Sequence, residues 1–210
     1  MNIINNPLKE LKWFEESKLL LKKNNSIRLT GASGIEKVHI INSLAADFGA
    51  AIVVAENDLK ARALYEDYRF FNKEVMYYPA KDLIFYQADI NGRTQTIERM
   101  KVLSRIMEGD NITLVTTLDA LMMPIMPVQI YKDNIITFEK GGITETDAVS
   151  IKLVQMGYIR TPQVENPGEF SVRGDIIDIY DLTKDNPYRI ELWGDEIESI
   201  RAFDVLSQRS

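Results

Sequence analysis

The run "LMMPIMPVQIY" at 121–131 is the most constraining stretch of the chain. Pro124 and Pro127 interrupt an apolar run there, and regular strand and helix patterns stop. The grammar differs on its two sides. Before it, short apolar runs alternate with longer helical patterns, which is how βαβ units around a parallel sheet read. After it, one helical pattern is followed by closely spaced extended runs, the mark of a small antiparallel α+β domain. At 210 residues the chain is long enough for two modest domains. The predicted fold class is therefore α/β, with a parallel-sheet domain over 1–122 and a small α+β domain with an antiparallel sheet over 123–210.

Within the first half, "NPLKELKWFEESKLLLKKNN" (6–25) predicts a helix with Asn6 as cap, Pro7 in its first turn, and Leu8, Leu11 and Phe14 on one face. Strands are predicted at 26–31, 51–56, 74–79 and 111–117. Between them, Val38, Ile41 and Leu44 mark one amphipathic helix, and Leu59, Leu64 and Tyr65 a second. A third carries Ile97, Met100, Leu103 and Met107 and stops at Gly109, while 80–92 has no period and is predicted as loop. The second half predicts a strand at 134–141 and a helix at 144–157 with a Thr/Asp cap and a stop at Gly157. Extended runs follow at 158–165, 169–174, 175–181, 188–194 and 196–205.

Composition narrows the chemistry. The chain contains no cysteine, which excludes disulfides, thiolate metal sites and a cysteine nucleophile, and fits a cytoplasmic setting. Its net charge is −6 with dispersed Lys and Arg, so direct grip on nucleic acid is not expected. No segment is apolar enough for a membrane span or a signal peptide. The single histidine, His39, cannot build a metal site unaided, and no metal is expected.

The stretch "LTGASGIEKV" (29–38) comes close to the phosphate-binding loop G-x-x-x-x-G-K-[ST]. Gly31 and Lys37 fall in register, and Gly34 adds a second small residue. Glu36 stands where the second glycine belongs and places a carboxylate where phosphate oxygens would sit. Val38 replaces the hydroxyl that holds Mg²⁺. Ordinary turn, nucleotide site and decayed loop remain alternatives on these residues alone.

Neighbouring segments carry a resemblance. The stretches 51–82, "VENPGEFSVRGDIIDIYD" (164–181), "YRIELWGDEIESIRAFD" (188–204) and "SQRS" (207–210) resemble, in collinear order, the N-terminal UvrB-homology module of the Mfd family of bacterial transcription-repair coupling factors. They are also similar to domains 1A and 2 of the repair helicase UvrB. The most specific piece is G-E-F-x-V-R-G-D-I-x-D-I at 168–179. The resemblance implies a degenerate, inactive phosphate loop at Gly31, Gly34, Glu36, Lys37 and Val38, with no cofactor for this segment and ATP and Mg²⁺ used only elsewhere in a longer parent. It also implies a non-catalytic recruitment module whose partner is UvrA, the damage-recognition ATPase. RNA polymerase and DNA would be engaged by other modules of that parent, and the rest of the parent chain would be an intramolecular partner.

Residue by residue, the resemblance points to Arg173 in the V-R-G-D turn, with Arg160, Phe170 and Glu169 as further partner-binding candidates. Ser171 stands where UvrB carries another arginine. Arginine suits the task because its rigid fork of donors pairs bidentately with carboxylates. Two other classes stay open: a nucleotide-dependent enzyme resting on Gly31 and Lys37, and a purely structural or autoinhibitory domain. The acidic pairs Asp175/Asp178 and Asp195/Glu196 could serve a metal or acid–base chemistry. The second pair follows Gly194 and is better read as a hairpin turn.

Overall fold

Three short apolar runs align side by side in the first half of the computed structural model: β1 (Ala51–Ala55), β2 (Val75–Tyr78) and β3 (Thr113–Thr117). They pair parallel in the order β1-β3-β2, so β3 is central and buried along its whole length. The structure describes residues 6–23, 26–80 and 88–209. Two compact units divide the chain, Met1–Met123 and Pro124–Ser210.

In the first unit, α1 (Asn6–Lys9) and α2 (Lys12–Lys22) precede α3 (Gly34–Ala45), α4 (Asp58–Phe71), α5 (Ala88–Met107) and α6 (Leu118–Met122). One sheet face is sealed by a cluster in which Val38, Ala61 and Tyr68 meet Ala55, Val75, Tyr77 and Val115. On the other, Val102 and Ala120 pack against Tyr78, Ile112 and Leu114, while Ile52 and Val54 of β1 remain exposed. Asn57 caps α4 by accepting from the Lys60 N–H at 2.9 Å, and Thr117 caps α6 by accepting from the Ala120 N–H at 3.2 Å. Arg99, buried on α5, donates to the Pro79 carbonyl at 2.9 Å and lies over the Tyr78 ring, tying the helix to the end of β2.

Several expectations change here. The helix predicted over 6–25 is broken, because three-residue turns close around Pro7 and Leu8 and leave Leu11 extended; of the predicted apolar face only Phe14 is buried. The strand predicted at 26–31 does not form. Arg28, Leu29 and Thr30 are exposed and the segment joins neither sheet, so the alternation of Ile27 and Leu29 finds no ladder. Ala88 already belongs to α5, so the predicted loop at 80–92 ends sooner, and 81–87 lie outside the described residues.

The second unit holds α7 (Val128–Asp133), α8 (Thr146–Gln155) and the strands β4 (Ile159–Arg160), β5 (Glu169–Arg173), β6 (Ile176–Ile179), β7 (Tyr188–Trp193) and β8 (Glu196–Ala202). They form one sheet in sequence order, antiparallel except for β4 beside β5. Two-residue turns join β5 to β6 at Gly174-Asp175 and β7 to β8 at Gly194-Asp195. Each glycine takes the positive φ such a turn needs first, 59° and 63°. Val149 and Leu153 of α8 pack on Phe170, Ile177, Ile179, Ile190, Leu192 and Ile197. Residues 134–141, expected as a strand, add Ile136 and Phe138 to this core without strand pairing; the alternation is real but serves burial only. The N-cap of α8 is Glu145 with no side-chain bond, rather than a Thr or Asp, while Gly157 does end the helix at φ 88°.

Phe170 is 0% exposed at the centre of this cluster. Phe170→Ala is expected to lower stability by about 3–5 kcal/mol, seen as a lower urea midpoint with an unchanged m-value.

Candidate functional site

Cross-strand partners share a sheet face, so the ladder sorts every candidate in the second unit. The row Val172, Ile177, Ile190, Ile200 faces α8. On the opposite face lie three rows: Ser171, Asp178, Arg189, Arg201; then Arg173, Ile176, Glu191, Ser199; then Trp193, Glu196 and, through an isolated bridge, Ile143.

Asp178 governs this second face. Its side chain is 1% exposed, yet both oxygens are satisfied. Arg189 forks onto it, Nε to Oδ1 at 2.8 Å and Nη2 to Oδ2 at 2.9 Å, and Arg173 Nη2 donates to Oδ2 at 2.6 Å. The hydrogen bond to Asp178 raises the Arg189 pKa further above its ordinary value. Arg189 also donates to the Gln208 carbonyl and lies over the Phe203 ring, so residues 203–208 fold across this row. Ser199 and Arg201 bond to Glu191 and hold its carboxyl below the usual range.

The candidates from the G-E-F-x-V-R-G-D stretch therefore separate. Arg173 ends β5 on the second face with its side chain 49% exposed, one nitrogen tied to Asp178 and the rest of the fork open. Phe170 is core, with no side-chain surface open to solvent. Glu169 is buried as well: it accepts from the backbone N–H groups of Glu165 and Asn166 at 2.8 and 2.9 Å and from Asn166 Nδ2, closing the loop before β5. Arg160 is exposed but pairs in register with Phe170, which places it in a row of the α8 face, away from Arg173. Ser171 is buried and donates to the Pro162 carbonyl at 3.0 Å. An arginine at that position would displace this contact.

In the first unit Gly31 and Gly34 adopt positive φ, 88° and 50°, and Gly34 opens α3. Glu36 and Lys37 are exposed in its first turn. Val38 is 0% exposed within the core against Tyr68 and Val115, so the side chain in the hydroxyl position points into the protein. The strand that precedes a phosphate loop is not formed here. Elsewhere in this unit Asp58 accepts from Tyr77 and, at 2.9 Å, from Arg62, and burial pushes the Tyr77 hydroxyl upward. His39 stacks on Phe71 with ring centroids 5.1 Å apart. Among the described residues no group of three or more His, Asp or Glu side chains is placed to hold a metal ion, and no helix is long and apolar enough to cross a membrane.

Sequence reasoning missed Arg189 and Trp193, and it weighed Asp178 only as half of an acidic pair with Asp175. Asp178 and Arg189 lie 11 positions apart and meet only through the β6–β7 register. Trp193 offers one signal, a large aromatic directly before a Gly-Asp turn.

Residues 136–210 match the UvrB interaction domain family. The transcription-repair-coupling factor of Bacillus subtilis is 33% identical over 185 residues, covering 87% of this chain and 16% of that protein. That of Staphylococcus epidermidis is 34% identical over 212 residues, covering 100% and 18%, and that of Myxococcus xanthus 32% over 200 residues, covering 90% and 17%. The chain thus spans 16 to 18% of the length of these relatives. With an interaction domain matched over residues 136–210 and similarity running through both units, the chain belongs to the transcription-repair coupling factor family, of which it forms the UvrB-homology module.

Proposed function

We propose that this module recruits UvrA without catalysing a reaction itself, and so links a coupling factor that acts on stalled RNA polymerase to nucleotide excision repair in the cytoplasm. In this reading the second unit is the counterpart of UvrB domain 2 and carries the UvrA surface. The first unit corresponds to domain 1A. DNA translocation, ATP hydrolysis and polymerase contact belong to other parts of a longer parent.

The observation that carries the reading is the state of Arg173. It sits on a two-residue turn between paired strands, and Asp178 holds one edge of its guanidinium at 2.6 Å. Anchored this way, an arginine loses less conformational freedom when a partner carboxylate takes the open edge. Asp178 does not depend on Arg173, because Arg189 already satisfies both of its oxygens. Binding and folding are thereby separated onto different arginines.

For the first unit, Val38 in the core and Glu36 at the start of α3 support a loop that holds no nucleotide. A carboxylate about 4 Å from a phosphate charge opposes binding by roughly 4 kcal/mol at an effective dielectric near 20.

Arg173→Ala is expected to weaken UvrA binding about 30-fold, measured by biolayer interferometry, and to change stability by about 1 kcal/mol or less. Unchanged affinity would remove Arg173 from the interface. Asp178→Ala, which strands the largely buried Arg189, is expected to cost about 3–5 kcal/mol of stability in urea melts. Titration calorimetry of the chain with Mg-ATP is expected to give no binding heat; a micromolar Kd would overturn the inactive-loop assignment.

A further inference from the structure

The second face of the antiparallel sheet is only partly covered. Residues 203–208 lie over the row of Asp178 and Arg189, with Phe203 buried, the Gln208 carbonyl on Arg189 and the Gln208 amide on the Val164 carbonyl at 3.2 Å. Beyond that row, toward the two hairpin turns, the face opens to solvent. Arg173 is half exposed, and in the last row Trp193 is 81% and Ile143 75% exposed. Ile176 stands between Arg173 and Glu191 in the adjoining row.

Nothing local requires a tryptophan at this position. The α8 core on the other face is complete without it, and Gly194 alone supplies the conformation the turn needs. The position is nonetheless rigid. Leu192 N–H bonds to the Asp175 carbonyl at 2.8 Å, joining the β7 end to the neighbouring turn. On the far side Gly141 N–H donates to the Ile197 carbonyl and Thr144 N–H to the Asp195 carbonyl, both at 2.8 Å, so Ile143 is held beside the β8 end. A tryptophan buries about 150–250 Å² when covered, and Trp and Arg are the residues most enriched among binding hot spots. With strands about 4.8 Å apart and Trp193 two residues, or about 6.8 Å, beyond the row of Arg173, the two positions stand about 12 Å apart on the sheet, within one partner footprint.

We infer that Trp193, with Ile176 on the diagonal between it and Arg173 and with Glu196 separating it from Ile143, is the apolar anchor of the surface whose charged contact is Arg173, and that the partner offers it an apolar cavity next to an acidic side chain. The inference rests on the UvrA-recruitment reading and extends it from one arginine to a two-point surface. Its occupant is the UvrA surface, since charge complementarity requires an acidic group at Arg173 and Ile176 joins Trp193 to that contact.

The chain contains two tryptophans, Trp13 in the first unit and Trp193 in the second. Labelling this chain alone with 5-fluorotryptophan gives two ¹⁹F resonances, assigned with Trp13→Phe. On adding UvrA the Trp193 resonance is expected to move and to lose its H₂O/D₂O isotope shift while Trp13 stays unchanged. Trp193→Ala is expected to weaken UvrA binding about 30-fold without altering the urea midpoint. If Arg173→Ala weakens binding while Trp193→Ala stays within about twofold and the resonance is unmoved, the anchor is wrong and recruitment through Arg173 stands. If the wild-type chain does not bind UvrA, both fall. A Trp193 shift that follows the chain's own concentration without UvrA would overturn the inference in favour of a second copy.

Discussion

A carboxylate buried in the middle of β6, on the face without a helix, is the interaction from which the second unit's architecture follows. Asp178 could not remain there uncompensated, because a buried charge left unpaired costs several kcal/mol. The fork of Arg189 compensates it, and Arg189 must then be shielded in turn. Phe203 and the Gln208 carbonyl do this, and the turn that brings Gln208 into place holds it at φ 56°, an uncommon conformation for a residue with a side chain. Gln208 then reaches Val164, at the loop that Glu169 and Ser171 tie down from β5. One ion pair thus couples the strand register, the 203–208 segment and the 161–168 loop. Slippage of β6 against β7 by one residue would move Asp178 to the apolar face.

The same arrangement explains how a small sheet can present charged groups firmly. Arg189 and Arg173 share Asp178, yet one is enclosed and the other half exposed. The enclosed arginine sets the geometry, and the exposed one inherits it. A loop-borne arginine would explore many rotamers, whereas this one ends a paired strand and is held at one nitrogen. The price is that substitutions at Asp178 and Arg189 disturb the fold itself, whereas a change at Arg173 leaves Asp178 held by Arg189.

Much of this fold is legible in the sequence because its signals are local. The parallel β1, β2 and β3, the helices between them, the antiparallel run and both Gly-Asp turns follow from apolar period and glycine placement. Alternation alone fails at 26–31 and 134–141, since a strand also requires hydrogen-bonded pairing with a neighbour, which period does not encode. The candidate site is less legible for a related reason. A continuous motif mixes roles: Phe170 fills the core, Glu169 closes a loop and Arg173 faces solvent, although all three belong to one five-residue strand. Arg160 reads like Arg173 until the β4–β5 register assigns it to the other face. Asp178 and Asp175 read as an acidic pair until Arg189 is seen to occupy both oxygens of the first.

In the first unit the two departures from a phosphate loop can be weighed by what the substituted side chains do. A magnesium-holding hydroxyl must face the ligand at the helix N-terminus, but Val38 is turned inward among Ala55, Tyr68 and Val115, where a hydroxyl would be desolvated. Glu36 occupies the first turn of α3, where a carboxylate stabilises a bare helix N-terminus by about 0.3–1 kcal/mol and opposes a bound phosphate. Each substitution is thus favourable for a helix that carries no phosphate and unfavourable for one that does. Val38 serves packing and Glu36 the helix N-terminus.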